Sequence, residues 1–197
     1  MMTLFNLTPK IIGSVKIFDP DTNEILVDKT NAINYESMSY AIALSLADQP
    51  NGSIQEMQFG NGASSVSATG VITYLPPNVT GLTATLYNQT YSKYVNNQSP
   101  LDTDTTDNFI SVNHTNNTTY SDVVVNCLLD YNEPSGQQAF DNAVQANGTY
   151  IFDEIGLATY NPSTATGITL SHVIFHPVQK ALDRRIQIVY TLRILMN

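Results

Sequence analysis

Alternation of apolar and polar residues organises most of this chain. "RIQIVYTLRILM" sets Ile186, Ile188, Tyr190, Leu192, Ile194 and Met196 on one side, with Arg185, Gln187, Thr191 and Arg193 on the other. That period of two is the mark of a half-buried strand. "IIGSVKIF" (11–18) and "EILVD" (24–28) flank "DPDTN", whose Asp, Pro and Asn favour a turn, so the stretch predicts a hairpin. Strands are also expected at 54–59 and at 70–75, where Pro76-Pro77 stops the second. A second hairpin follows from "FISVN" (109–113), the turn "HTNNTT" and "YSDVVVNCLLDY" (120–131). Two more strands, 149–160 and 168–176, surround the loop "NPSTATG".

The period changes in "NAINYESMSYAIALSLADQPNG", where Met38, Ile42 and Leu46 sit four apart with Ala41 and Ala43 beside them. Asn34 suits the N-cap, Glu36 lies in the first turn, and Pro50 and Gly52 close the segment. A helix over about 35–48 is the expectation. "LTATLYNQTYSKYVNN" fits either a strand or a short helix, and Phe140 and Val144 share one helical turn. "NQSPLDTDTTDN" reads as a polar, exposed loop at about 96–108. Many short strands and one early helix predict a mainly β chain: an antiparallel β-sandwich or jelly-roll-like single domain over 11–197. An N-terminal arm, 1–10, precedes it.

Composition narrows the function classes. Of the 197 residues 13% are charged, about half the usual level of about 25%, and Asn and Thr fill the gap at about a fifth of the chain. The net charge of −9 argues against a nucleic-acid partner, which requires clustered Lys and Arg. The charge is uneven: residues 155–197 carry Lys180, Arg184, Arg185 and Arg193 against Asp183 alone. Such a basic tail either docks on an acidic partner or forms scattered solvated charges. No stretch reaches the about 18 apolar residues of a membrane-spanning helix, and "MMTLFNLTPK" shows no secretory-signal pattern. Cys127 alternates with Val123, Val125 and Leu129, so it reads as a core residue rather than a nucleophile.

Candidate chemistry is sparse. Gly60, Gly62 and Gly70 do not form a phosphate-binding loop, because no helix and no Gly-Lys-Ser/Thr follows. Gly60-Asn61-Gly62 instead suits a tight turn with positive φ. His172 and His176 share a strand face but stand about 13 Å apart, too far for one metal ion. His114 falls in a hairpin turn. Asp102, Asp104 and Asp107 share one loop, yet the EF-hand positions for Gly and the final acid hold Asp107 and Asn113. Asp153 and Glu154 are adjacent, which on a regular strand sends them to opposite faces. No catalytic, cofactor-binding or metal residue is therefore assigned, and no cofactor is expected. An enzyme would require His114, His172 or His176 to meet an acid in a pocket.

"GSVKIFDPDTNEILVDKTNAINYESMSYAIALSLA", "MQFGNG", "TGVITYLPPN", "LYNQTY", "FDEIGL" and "SHVIFHPVQKALDRRIQIVYTLRI" together resemble structural proteins of tailed bacteriophage virions. "FGNG" and "FDEIGL" are also similar to attachment domains that join fibres to tail baseplates. The resemblance implies a non-enzymatic virion protein of the tail, neck, baseplate or capsid surface. Its partners would be other virion proteins, in a homo-oligomer or symmetric array, with no nucleic acid and no membrane. Such a protein would contact its neighbours through the arm 1–10, the loop 96–108 and the C-terminal strand with Arg185 and Arg193. The alternative is a carbohydrate-binding sandwich that recognises a host surface, with Tyr35, Tyr40, Tyr74, Tyr87, Tyr91 and Tyr94 stacking on sugar rings.

Overall fold

Two antiparallel five-stranded sheets pack on one core in the computed structural model, which describes residues 9–134 and 149–196. The first sheet has the order β2 (Ile25–Thr30), β1 (Pro9–Phe18), β12 (Ile186–Met196), β9 (Tyr120–Leu129) and β8 (Phe109–His114). The second has the order β3 (Ala32–Ile33), β11 (Thr169–Ala181), β10 (Thr149–Thr159), β4 (Ile54–Gly60) and β7 (Gln89–Tyr94). A ribbon of β5 (Ser64–Val66) and β6 (Ile72–Tyr74) stands apart. The β-sandwich expected from the alternation is the fold observed. Residues 1–8 of the expected arm, and the helical turn at Phe140 and Val144, lie outside the described residues.

The alternating residues meet between the sheets. Val15 and Ile17 of β1, Ile188 and Tyr190 of β12, and Val125 and Cys127 of β9 face Met57, Phe59, Ile155, Leu157, Val173 and Phe175 from the second sheet. Phe152 meets Phe59 and Phe175 edge-on, at centroid distances of 5.5 and 5.7 Å. Each such apolar side chain contributes about 1.5–3 kcal/mol by leaving water. Cys127 is fully buried among them, and burial pushes its thiol up to about 12, so it sits in the core as expected. Pairing of β1 with β12 in continuous register joins the two ends of the described chain at the centre of the first sheet.

The ambiguous stretch 82–97 resolves as strand β7, with no helix. The expected helix forms as α1 (Tyr35–Leu46). Asn34 caps it, its Oδ1 accepting from the Ser37 N–H at 3.2 Å, and it ends before Asp48, which takes a positive φ of 52°. Its contact face differs from the expected row. Ser37, Met38 and Ala41 are buried, whereas Ile42 and Leu46 are exposed, Leu46 at 85%. Residues four apart advance about 400° round a helix, so a strict i, i+4 row drifts off the contact line. Beyond Ala41 no residue of the helix is buried.

A fully buried polar contact crosses the core. The Tyr190 hydroxyl donates to Ser171 Oγ at 2.6 Å and accepts from Asn31 Nδ2, linking β12 to β11. Ser171 Oγ also accepts from the Leu157 N–H at 3.3 Å. Tyr190→Phe keeps the ring and strands the two partners. Denaturant titration is expected to show a loss of about 1–3 kcal/mol with an unchanged slope.

Candidate functional site

The strongest polar constellation gathers on the outer face of the second sheet, where Glu154 of β10 lies beside His172 of β11. Both side chains are fully buried. Glu154 Oε1 accepts from the N–H groups of Gly62 (3.0 Å) and Asn88 (2.9 Å). Its Oε2 accepts from the Tyr87 N–H (2.9 Å) and pairs with His172 Nε2 (2.9 Å). The other imidazole nitrogen, Nδ1, accepts from the Asn78 N–H at 2.9 Å, so it carries no proton. The proton therefore sits on Nε2, and a neutral His172 donates to an ionised Glu154. The ring of Tyr87 closes over the imidazole at 5.6 Å.

Local sequence explains why this centre forms. Pro177 has no N–H to give the β10–β11 ladder, and the register breaks there: Phe152 pairs with Val178 but Glu154 with Ile174. Across the break the expected alternation fails. Phe152 and Ile155, three apart, both enter the core, and Asp153 and Glu154 both turn to the same loop. Asp153 Oδ1 accepts from the Ala63 N–H at 3.2 Å, and its Oδ2 accepts from the Ser64 hydroxyl. Gly60 and Gly62 serve this contact, and neither has the positive φ expected of them. A Cβ at Gly60 would stand 2.5 Å from Glu154 Oε1, and one at Gly62 2.8 Å from the Asn88 backbone. Close approach is thus their function; Gly70, with φ 80°, is the turn glycine of the β5–β6 ribbon.

The two carboxyls titrate in opposite directions. Burial pushes Glu154 up, but the His172, Asn88, Tyr87 and Gly62 donors outweigh it and hold the carboxyl below its ordinary value. Burial dominates at Asp153 and raises it, against the Ser64 and Ala63 bonds. Every bond to Glu154 comes from an N–H of this chain, so the centre clamps segments 60–64 and 76–88 onto the sheet. Neither the His172 nor the Glu154 side chain is exposed to solvent.

The other candidates disperse. His176 is exposed, its Nδ1 3.2 Å from the Tyr74 hydroxyl, and His114 bonds across its own hairpin to Tyr120 O and Ser121 Oγ. Asp102 is buried, with Oδ1 accepting from the Asp104 N–H, while Asp107 is exposed. Among the described residues no three His, Cys, Asp or Glu side chains converge as metal ligands. The loop 96–108 exposes Gln98, Pro100, Thr103 and residues 105–107, and buried Asn108 anchors it by accepting from the Leu128 N–H. The tyrosines do not form one platform. Tyr35 and Tyr40 lie on α1, Tyr91 packs on Phe59 and Tyr150, and Tyr94 meets Tyr160 edge-on.

The arginines of the basic tail are paired within the chain. Arg184 donates to Asp19 (2.8 Å) and Glu24 (3.0 Å), Arg185 to Asp21, and Arg193 to both oxygens of Asp122 (2.7 and 2.8 Å). Each guanidinium holds its aspartate below the usual carboxylate range. Arg193 also stacks over Tyr120 at 4.2 Å. An apolar cleft of about 320 Å3 opens between Met38 and Ile42 of α1 and Ile110, Val123 and Ile194 of the first sheet. No sequence pattern pointed to this cleft, because its walls come from distant segments.

Comparison with protein-family models, with curated proteins and with solved structures finds no match.

Glu154→Gln tests the clamp. An amide turns its NH2 toward at least one of the four N–H donors and leaves donors unpaired, so a loss of about 2–4 kcal/mol is expected at pH 7. A carboxyl with a lowered folded value stabilises fully above its unfolded value of about 4.5, and this is lost as pH falls through the lower folded value. The difference between wild type and variant should therefore shrink below about pH 4.5. Urea titrations from pH 7 down to pH 3 measure it.

Proposed function

We propose that this chain is a non-enzymatic structural component of a tailed-phage virion, carried on the tail, neck, baseplate or capsid surface and acting through protein–protein contacts. One observation carries the reading. The "FGNG" and "FDEIGL" phrases that bear the resemblance supply Gly60, Gly62, Asp153 and Glu154, and these residues converge on a sealed clamp between loops and sheet. Residues of this kind preserve a surface shape. They do not present a reactive group, since both nitrogens of His172 and both oxygens of Glu154 are committed to partners in the chain.

The surface supports the same reading. The three arginines are neutralised internally, so contacts through the C-terminal strand would rest on shape and apolar area rather than on free positive charge. Exposed Ile42, Leu46, Tyr35 and Tyr40 on α1 and the apolar cleft beside the helix supply such area. The carbohydrate-binding alternative draws no comparable support, because its six tyrosines divide among the helix, the β5–β6 ribbon, the 76–88 segment and strand β7.

Immunogold labelling of intact virions with antibody to this chain tests the proposal. Particles decorated at one repeated position are expected. A chain absent from washed particles and confined to the infected-cell lysate would reject it.

A further inference from the structure

Among the described residues, of the four strands at the edges of the two five-stranded sheets, β8 alone is a full-length edge without a guard. Strand β2 carries Asp28 and Lys29 and a register break against β1, β7 carries Lys93 beside the 101–104 loop, and β3 is two residues long. Strand β8, "FISVNH", holds no Lys, Arg, Asp, Glu or Pro and pairs with β9 in unbroken register. Charges, prolines and bulges are how edge strands avoid pairing with another chain. Their absence from this one strand leaves a template.

The direction of its free groups follows from one bond. The Ile110 N–H donates to Asn97 Oδ1 at 3.2 Å, away from β9. Antiparallel ladders alternate, so Ile110, Val112 and His114 turn their backbone groups outward while Phe109, Ser111 and Asn113 bond to β9. The same alternation appears on β9, where the Leu128 N–H turns to the β8 side and meets Asn108. No partner within the described chain takes the outward N–H of Val112 or of His114. Val112 is also 67% exposed, although it lies on the same face as the core-packed Ile110.

We infer that β8 is a self-association edge whose partner is β8 of a second copy, paired antiparallel about a two-fold axis through Val112. In that register Val112 faces Val112 of the copy, and the two exchange both backbone bonds. Each His114 N–H then donates to the opposite Ile110 carbonyl, and the His114 carbonyl takes the place of Asn97 Oδ1 at the opposite Ile110 N–H. The two five-stranded sheets join as one continuous sheet, in an isologous contact. Charge favours this edge over others. Two copies of a −9 chain repel through most of their surface, and β8 carries no formal charge. The inference adds a named surface to the assembly reading and rests on it only for its biological use.

Sedimentation velocity of the purified chain across a concentration series to about 1 mM, with engineered cysteines, tests it. Wild type is expected to shift toward dimer with concentration. Val112→Pro, which removes a central donor without touching the β9 ladder, and Val112→Lys, which restores an edge charge, should stay monomeric with unchanged circular dichroism. Ile25→Lys on the opposite edge should still dimerise. Under mild oxidation Val112→Cys should cross-link to itself, since bonded antiparallel residues stand about 5.5 Å apart at Cα, inside the disulfide range. Asn113→Cys, facing Ser111 of the copy, should not. A wild type that stays monomeric throughout, or Val112→Lys dimerising as wild type does, or equal cross-linking at 112 and 113, would each overturn the inference. A monomer that still labels virions would leave the assembly reading standing without this edge.

Discussion

Four N–H donors on one carboxylate hold this molecule's outer layer in place. Glu154 accepts from three backbone amides on two loops and from the imidazole of His172, with no water-exposed surface on either side chain. Burying an anion is costly unless every lone pair is used, and here the donors repay that cost by being fixed in place. The same bonds satisfy amides of Gly62, Tyr87 and Asn88 in segments that lie outside the main ladders. The loops and the charge therefore stabilise one another.

The rest of the architecture grows from that dependence. A chain with few charged residues has little electrostatic surface to spare, and it spends much of what it has internally. The C-terminal arginines close onto Asp19, Asp21, Glu24 and Asp122, tying β12 and the turn before it to the β1–β2 turn and to β9. These exposed pairs are individually weak. Their consequence is a surface on which contact is governed by shape, amides and apolar patches. Such a surface is what the proposed assembly role calls for.

Pro177 and the glycines of the 60–62 turn belong to one device. The proline interrupts the ladder, the interruption turns Asp153 and Glu154 to the same side, and the glycines let the turn come close enough to be held. A regular strand would have sent one of the two acids into the apolar core. Local irregularity thus creates the polar layer while the inner face, carrying Phe152, Ile155 and Leu157, keeps its apolar packing.

Period-two alternation in β1, β9 and β12 was enough to identify a mainly β sandwich, and Asn34 was enough to start its helix, because these signals act within a few residues of chain. The extent of the helix's buried face was not legible, since it depends on how far a sheet built from distant strands reaches beneath it. Nor was the clamp legible. Glu154, His172, Gly62 and Asn88 are spread over more than a hundred positions, and the adjacency of Asp153 to Glu154 suggested opposite faces until the break at Pro177 altered the pleat. Hydrophobic periodicity is a property of the local backbone, so sequence alone determines which residues form strands. The meeting of a carboxylate with its donors is a property of closure in space, and only the tertiary structure decided it.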